Sequence, residues 1–296
     1  MQTEGTMYRP PVEANTFVFQ VAAGCTHNKC KFCTMFRDKK FHLIKEDVLR
    51  SNLAEVKEYY GRYGLKLERI FLDDGDVFSL SADKLENIIN QIREYFPELK
   101  EITMYAAVRS LKHKSDEDLL RLKDLGVNDL YIGYESGVDD CLMFMNKGHN
   151  TEESIRQAER LNQVGIRHHA LLIIGMAGKG RAEESGMAAA RLINQIKPGI
   201  VLLTTLSVFD DSDLKQEIIN NNFTEAKEKE ILTEELVLLD NINDGNIYFW
   251  ASHSLNSVPM EGYIYKDREN MRRKLQYAIE NIDEETFAQQ LKRERL

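Results

Sequence analysis

The sequence predicts an α/β protein whose core is a parallel sheet with helices outside it. Three observations carry that expectation. Six short runs rich in apolar and β-forming residues recur between residues 16 and 208, and segments with helical periodicity separate them. Strands that alternate with helices pair in parallel, because a parallel neighbour needs a crossover of a dozen or more residues. The composition fits a sizeable core: of 296 residues, 43% are apolar, 29% are charged and only five are proline, unlike a disordered chain.

The first strand is Thr16–Ala23 (TFVFQVAA), closed by Gly24. A long loop, Cys25–Lys45, precedes an amphipathic helix over Glu46–Tyr60. Arg69–Asp73 is the second strand, and Ser81 caps a helix over Ala82–Tyr95. Glu101–Ala107 is the third strand, followed by a helix over Asp116–Leu125. Asp129–Tyr134 is the fourth, and Asn150 or Thr151 caps a helix that runs to Val164. His169–Ile174 is the fifth, with a helix over Ala182–Ile196, and Ile200–Val208 is the sixth. The pattern changes after about Leu214. Charged helical stretches at Lys215–Asn220 and Thr224–Leu239 lead to an irregular aromatic segment and a last helical region, about Arg268–Leu291. Residues 1–214 are therefore expected to form the main domain, and 215–296 a mostly helical extension that caps it. Open sheets and barrels both fit this order. Both place their sites at the C-terminal ends of the strands, where the Cys25–Lys45 loop falls.

The formal charge of −9 argues against wholesale attraction to nucleic acid. A local basic run crowds the loop: Lys29, Lys31, Arg37, Lys39, Lys40 and Lys45. It reads equally as a solvated loop or as a site for an anionic ligand. The N-terminus shows no apolar signal segment, and the longest strongly apolar stretch, Ala170–Ile174, is far too short to span a bilayer. A soluble, cytoplasmic protein with no membrane partner is expected. Four cysteines in such a chain are poor evidence for disulfides, and three lie within nine residues.

That segment reads GCTHNKCKFCTMF, with four residues between Cys25 and Cys30 and two between Cys30 and Cys33. Three thiolates on one short loop can hold three irons of a 4Fe–4S cluster and leave the fourth open. The alternative is zinc held by the three cysteines and His27, a cramped set beside the separated ligand pairs of most structural zinc sites. Cys141 lies far along the chain and reads as a small buried apolar residue.

On these residues the segment resembles the cluster loop of the radical S-adenosylmethionine superfamily, whose usual loop has three residues, not four, between the first two cysteines. The resemblance implies a partial (β/α)6 barrel of parallel strands, a 4Fe–4S cluster on Cys25, Cys30 and Cys33, and S-adenosylmethionine as cofactor. It implies that Phe32, just before the third cysteine, packs near the adenine. Asp73-Asp74-Gly75-Asp76 stands where the family receives the cofactor's amino group; Asp74, Gly75 and Asp76 are the candidates, with Gly75 permitting a close backbone approach. The stretch GYESGVDDCLMFMNKGHN is similar to the coproporphyrinogen-dehydrogenase, methylthiotransferase and Elongator-type branches. It makes Glu135 a cofactor contact and Lys147 the partner of the cofactor's carboxylate. Ile174 and Gly175, in a turn similar to the family's Gly-Leu-Pro-Gly-like turn without its proline, and Leu206 after Thr204-Thr205, are expected to line the adenine.

The activity implied is reductive cleavage of S-adenosylmethionine to a 5′-deoxyadenosyl radical that abstracts hydrogen from a substrate. The enzyme would be oxygen-sensitive and served by an electron donor such as flavodoxin or ferredoxin. Tyr105 and Arg109, at the end of the third strand, are the catalytic candidates toward substrate. His168 and His169 sit at the entry end of the fifth strand and read as packing residues. His253 and Asn256, in the aromatic segment, read as cap packing or as residues closing the pocket. A small-molecule substrate is favoured, because no second cysteine group or RNA-binding appendage is visible. A tRNA or protein modifier of methylthiotransferase or Elongator type is the first alternative, and a non-catalytic iron–sulfur or zinc regulator the second.

Overall fold

A computed structural model of the protein describes residues 1–284. Its elements, in chain order, are β1 (Phe17–Gln20), β2 (Ala22–Ala23), β3 (His42–Leu43), α1 (Glu46–Arg62), β4 (Arg69–Asp73), α2 (Ala82–Tyr95), β5 (Glu101–Ala106), α3 (Val108–Leu111), α4 (Asp116–Asp124), β6 (Val127–Glu135), α5 (Asp139–Phe144), α6 (Thr151–Val164), β7 (Arg167–Ile174), α7 (Ala182–Ile196), β8 (Ile200–Thr205), α8 (Asp213–Ile219), α9 (Glu228–Asn241), β9 (Tyr248–Trp250), β10 (Glu261–Tyr263) and α10 (Ile264–Asn281). Short 3-10 turns cover Pro11–Glu13 and Val77–Ser79. An eight-stranded sheet has the order β1-β4-β5-β6-β7-β8-β9-β10, and a small ribbon pairs β2 with β3. The α/β class and the mostly parallel sheet read from the sequence are what the structure contains.

The molecule divides into two compact units. The first comprises residues 1–28, 35–132 and 159–168. Here β1, β4, β5 and the first part of β6 run parallel, with Phe17 opposite Ile70, Arg69 opposite Glu101 and Tyr105 opposite Tyr131. Ile70, Phe71, Leu72, Ile102 and Met104 are fully buried. Near-continuous apolar strands of this kind are covered on both faces. One face of the α2 helix, Leu85, Ile88, Ile89 and Ile92, is buried at the spacing a helix requires. Ser81 caps it by accepting from the Lys84 N–H at 3.4 Å, and Ser115 and Asp118 form a capping box on α4. At the N-terminal ends of the strands, Arg69 pairs with Glu13, Glu101 and Asp129, and Arg167 joins through Asp129 at 2.7 Å. Tyr131 donates its hydroxyl to Glu13 at 2.7 Å.

The second unit comprises residues 29–34, 133–158 and 169–284 of the described chain. β7, β8 and β9 run parallel, and β10 returns antiparallel to β9. The Asn150 side chain caps α6, accepting from the Glu153 N–H at 2.9 Å. α7 is small-residue rich and packs closely on α9: a Cβ on Gly186 would lie 2.6 Å from the Glu234 carbonyl oxygen and 2.9 Å from Val237. α10 is tied to α9 by Arg272 with Asp240 at 3.1 Å.

The structure corrects several boundaries. The first strand breaks at Val21, because Ala22–Ala23 turns to pair with His42–Leu43. The aromatic segment is not irregular: Tyr248–Trp250 extends the sheet beside β8, so the C-terminal region is not only helical. Three residues are too few for a period to be read. The last helix begins at Ile264, four residues before the expected Arg268, and ends at Asn281. The expected helical residues 285–291 lie outside the described residues.

Candidate functional site

In the first unit, Cys25 is half-buried beyond β2. The preceding Gly24 adopts φ +88°, so its N–H can turn to Asp74, whose Oδ2 accepts it at 2.7 Å. The other Asp74 oxygen accepts from the Gly75 N–H at 2.7 Å. A Cβ on Gly75 would lie 2.6 Å from the Phe36 ring and 3.0 Å from the Cys25 Cβ, so only glycine lets the backbone come this close to the cysteine. Asp76 is buried and saturated. Its oxygens accept from Ser110 Oγ at 2.6 Å, Arg109 at 3.0 Å, Thr26 Oγ1 at 3.1 Å and the Ala107 N–H at 3.2 Å. Burial raises the Asp76 pKa against those donors. Arg109 also donates to Thr26 Oγ1 at 2.7 Å. Arg109 is thus bound to Asp76 and to the residue next to Cys25.

Tyr105 is half-buried and meets Phe71 edge-on at 5.2 Å. Burial lifts its phenol well above the ordinary range, with the charges of Asp73 and Glu13 adding to the effect. Asp73, not singled out in the sequence, is fully buried beside it. Burial and Asp74 push its carboxyl up to about 7, and its Oδ2 has no hydrogen-bond partner among the described residues. Alternation along β4 puts Asp73 on the same face as Phe71, yet a carboxylate at a strand end reads equally as a solvated turn residue.

The second unit holds Cys30 and Cys33, joined by a turn in which the Cys33 N–H donates to the Cys30 carbonyl at 3.2 Å. Lys31 anchors this segment through its backbone. Its N–H donates to the Met145 carbonyl at 3.1 Å, and its carbonyl accepts from Leu214 at 2.9 Å. Its ammonium lies 4.2 Å from the Phe144 ring centre and pairs with Glu217 at 2.5 Å. Phe32 packs on a buried apolar cluster that includes Cys141, Met145, Met176, Leu206 and Leu214.

Glu135 ends β6 in the left-handed region, φ +66°. Its Oε1 accepts from Lys147 Nζ at 3.0 Å, and both side chains are nearly buried, at 12% and 11% exposure. Lys147 also stands 5.8 Å over the Phe32 ring. Burial works against its charge, but Glu135, Cys30 and Cys33 outweigh burial and hold the ammonium protonated above the ordinary lysine range. Phe32, Glu135, Lys147 and the two cysteines therefore form one electrostatic group, although the sequence separates them by about a hundred residues.

Ile174 closes β7, and its carbonyl accepts from the Leu206 N–H at 2.9 Å, which brings two of the expected adenine-lining residues together with Gly175. Gly175 (φ +84°) donates its N–H to Glu234 Oε2 at 2.9 Å. A cavity of about 400 Å³ lies beside this turn, lined by Met176, Ala177, Cys141, Phe144, Phe223 and Arg181 among others. Cys141 is buried, donates its thiol to the Met176 carbonyl at 3.2 Å and has its pKa pushed up to about 12 by burial. His168 and His169 are buried. Asn256 ties the β9 loop to β8, donating to the Leu203 and Ala251 carbonyls at 2.9 Å each and accepting from Thr205 at 3.1 Å. His253 stands 6.4 Å from Trp250.

Among the described residues, no three His, Cys, Asp or Glu side chains converge as a metal cage. All four cysteines are free of disulfides. In the second unit Cys30 and Cys33 are half-buried thiols near a lysine charge, and thiolates are the donors that an iron–sulfur cluster takes.

Such a loop, placed beyond the first strand of a parallel α/β sheet, defines a class of iron–sulfur enzyme. Residues 19–193, more than half of the chain, match the model of the Radical SAM superfamily. The chain belongs to that superfamily, whose members use a 4Fe–4S cluster and S-adenosylmethionine. The heme chaperone HemW of Bacillus subtilis (strain 168) is 27% identical over 114 residues, which cover 38% of this chain and 30% of HemW. The chain thus spans less than a third of that curated relative's length. Among solved structures, methylornithine synthase (PylB) aligns with TM-score 0.56 at 14% identity, covering 88% of this chain and 68% of that one. The Elp3 of the archaeon Methanocaldococcus infernus aligns with TM-score 0.55 at 14% identity, covering 79% and 58%. These two show the fold, which agrees with the barrel-type α/β architecture expected from the sequence. No helix among the described residues is long and apolar enough to cross a membrane.

Proposed function

We propose that Cys25, Cys30 and Cys33 hold the 4Fe–4S cluster, and that the enzyme acts by hydrogen abstraction on a small molecule. When bound, the cluster supplies the electron that cleaves S-adenosylmethionine to methionine and a 5′-deoxyadenosyl radical. The chain's own residues bind and orient. Lys147, kept charged in a nearly dry setting by Glu135, receives the cofactor's carboxylate, where a charge-assisted bond is worth more than in water. The Asp74–Asp76 turn receives the amino group. Because Asp76 is saturated by four donors, backbone carbonyls and Asp74 serve this role, and Asp76 fixes the turn. Phe32, Ile174, Gly175 and Leu206 line the adenine, and Tyr105 and Arg109 face the substrate end. Residues 1–214 carry the chemistry, with 215–296 as the extension. Reducing equivalents come from a separate donor of flavodoxin or ferredoxin type.

The observation that carries this reading is the Lys147–Glu135 pair, electrostatically coupled to Cys30 and Cys33 and stacked over Phe32. Anaerobic reconstitution followed by reduction should yield 5′-deoxyadenosine from S-adenosylmethionine. Replacing any one of the three cysteines by alanine should abolish both the iron–sulfur absorbance and the product. Lys147→Ala should keep its iron yet bind S-adenosylmethionine about 10- to 100-fold more weakly, the scale of one lost charge-assisted bond. Unchanged affinity would remove Lys147 from the site. Product formed only with added tRNA would favour the tRNA-modifying alternative.

A further inference from the structure

The Gly175–Gly180 turn is held from a direction the family match does not reach. Gly175, Gly178 and Gly180 all take positive φ (+84°, +79° and +81°). A turn with that much left-handed backbone has little intrinsic reason to keep one path. The stretch from Phe223 to Glu234, beyond the matched residues 19–193, supplies the reason. The Thr224 carbonyl accepts from the Lys179 N–H at 2.9 Å. A Cβ on Gly178 would lie 2.8 Å from that same oxygen. Glu230 accepts from the Gly180 N–H, and Ile231 lies 3.4 Å from where a Cβ on Gly175 would stand.

Glu234 is the buried member of this set, at 3% exposure. One oxygen accepts from the Gly175 N–H at 2.9 Å and the other from Ser185 Oγ at 2.7 Å. One carboxyl in α9 thereby ties the first residue of the turn to the first turns of α7. We propose that Glu234 is a positioning residue for S-adenosylmethionine, acting through Gly175 to fix the turn that lines the adenine. This rests on the assignment of Gly175 to the cofactor made above. A buried carboxyl is retained at a cost, since burial pushes its pKa up to about 7. An apolar side chain would pack there without that cost and would leave the Gly175 N–H unsatisfied.

Glutamine can keep both bonds, because its carbonyl accepts from Gly175 and its amide donates to the Ser185 hydroxyl, which reverses its role. Leucine keeps the volume and loses both. The test measures the S-adenosylmethionine dissociation constant on reconstituted protein, the iron content, and hydrogen–deuterium exchange of the 175–180 peptide without cofactor. Glu234→Leu should raise the dissociation constant at least about tenfold, a loss of about 1.4 kcal/mol, and speed exchange of that peptide while iron content holds. Glu234→Gln should stay within about threefold of wild type. Ser185→Ala should give a smaller loss in the same direction, and it carries the test if the leucine variant does not fold. Wild-type affinity in the leucine variant overturns the proposal, as does a glutamine variant as weak as leucine, or, should leucine not fold, a Ser185→Ala protein that matches wild type in affinity and exchange. Fast exchange with unchanged affinity also overturns it, and failure of the wild-type protein to bind S-adenosylmethionine strikes instead the reading on which it rests.

Discussion

Single side chains set two opposing demands on protonation. Glu235, next to Glu234 on α9, is buried, and its Oε1 has no partner among the described residues. Burial first, then the charges of Glu228 and Glu234, push its pKa from the ordinary 4.5 up to about 8. The folded protein therefore binds this proton more tightly than the unfolded chain. Its stabilising contribution is complete below pH 4.5 and is lost as pH rises toward 8. Glu235→Gln mimics the protonated form. We expect it to raise the melting midpoint at pH 8 by about 2–8 °C, taking about 1–2 kcal/mol for the relieved charge, and to leave the midpoint at pH 5 nearly unchanged. Equal shifts at both values would show that packing, not charge, is responsible. At this scale the sequence was legible where a residue type has few uses. Three close cysteines stand out in the sequence as candidates, and Lys147 stands out through a family-like stretch. Asp73 and Glu234 do not, because a carboxylate becomes informative only once its burial is known, and burial is a property of the fold.

At the scale of elements, glycine decides how closely helices approach. Gly186 on α7 has no room for a methyl group, since a Cβ would stand 2.6 Å from the α9 backbone at Glu234. Alanine is the better helix former by about 1 kcal/mol, yet a clash with backbone cannot be relieved by a rotamer change, and overpacking costs about 1–3 kcal/mol. Gly186→Ala should therefore lower the melting midpoint by up to about 8 °C, for a net loss of up to about 2 kcal/mol. A rise would mean that α9 can slide away from α7 without loss. The helix limits read from apolar spacing and caps were close for α2 and α6 because Ser81 and Asn150 act where they stand in the sequence. The three-residue strands β9 and β10 were missed. Their pairing is long-range, Tyr248 opposite Ile200 and Tyr263 opposite Tyr248, and no local pattern encodes it.

For the whole molecule, the C-terminal region contributes strands to the sheet as well as helices. β9 covers the edge of β8 with Ile200, Val201 and Leu202 in register, and α9 packs on α7, with Glu234 and Val237 against Gly186. A protein ending at Leu214 should expose both and aggregate on expression. A monomeric, cooperatively melting product would show that the first six strands suffice. The order of βα units, and with it the fold class, was legible because each unit repeats the same two periodicities. The path of the cysteine loop was not, because the contacts of Lys31 with Met145 and Leu214 join residues more than a hundred positions apart. The charge network at the strands' N-terminal ends carries one more consequence. Glu13 is buried, which alone would raise its pKa, but its bonds to Arg69, Thr16 and Tyr131 bring it below 4.5. Acid that neutralises Glu13 leaves the Arg69 guanidinium to Glu101 and Asp129, while a rise in pH toward 8 charges Glu235; these two groups draw stability down from opposite ends of the pH scale.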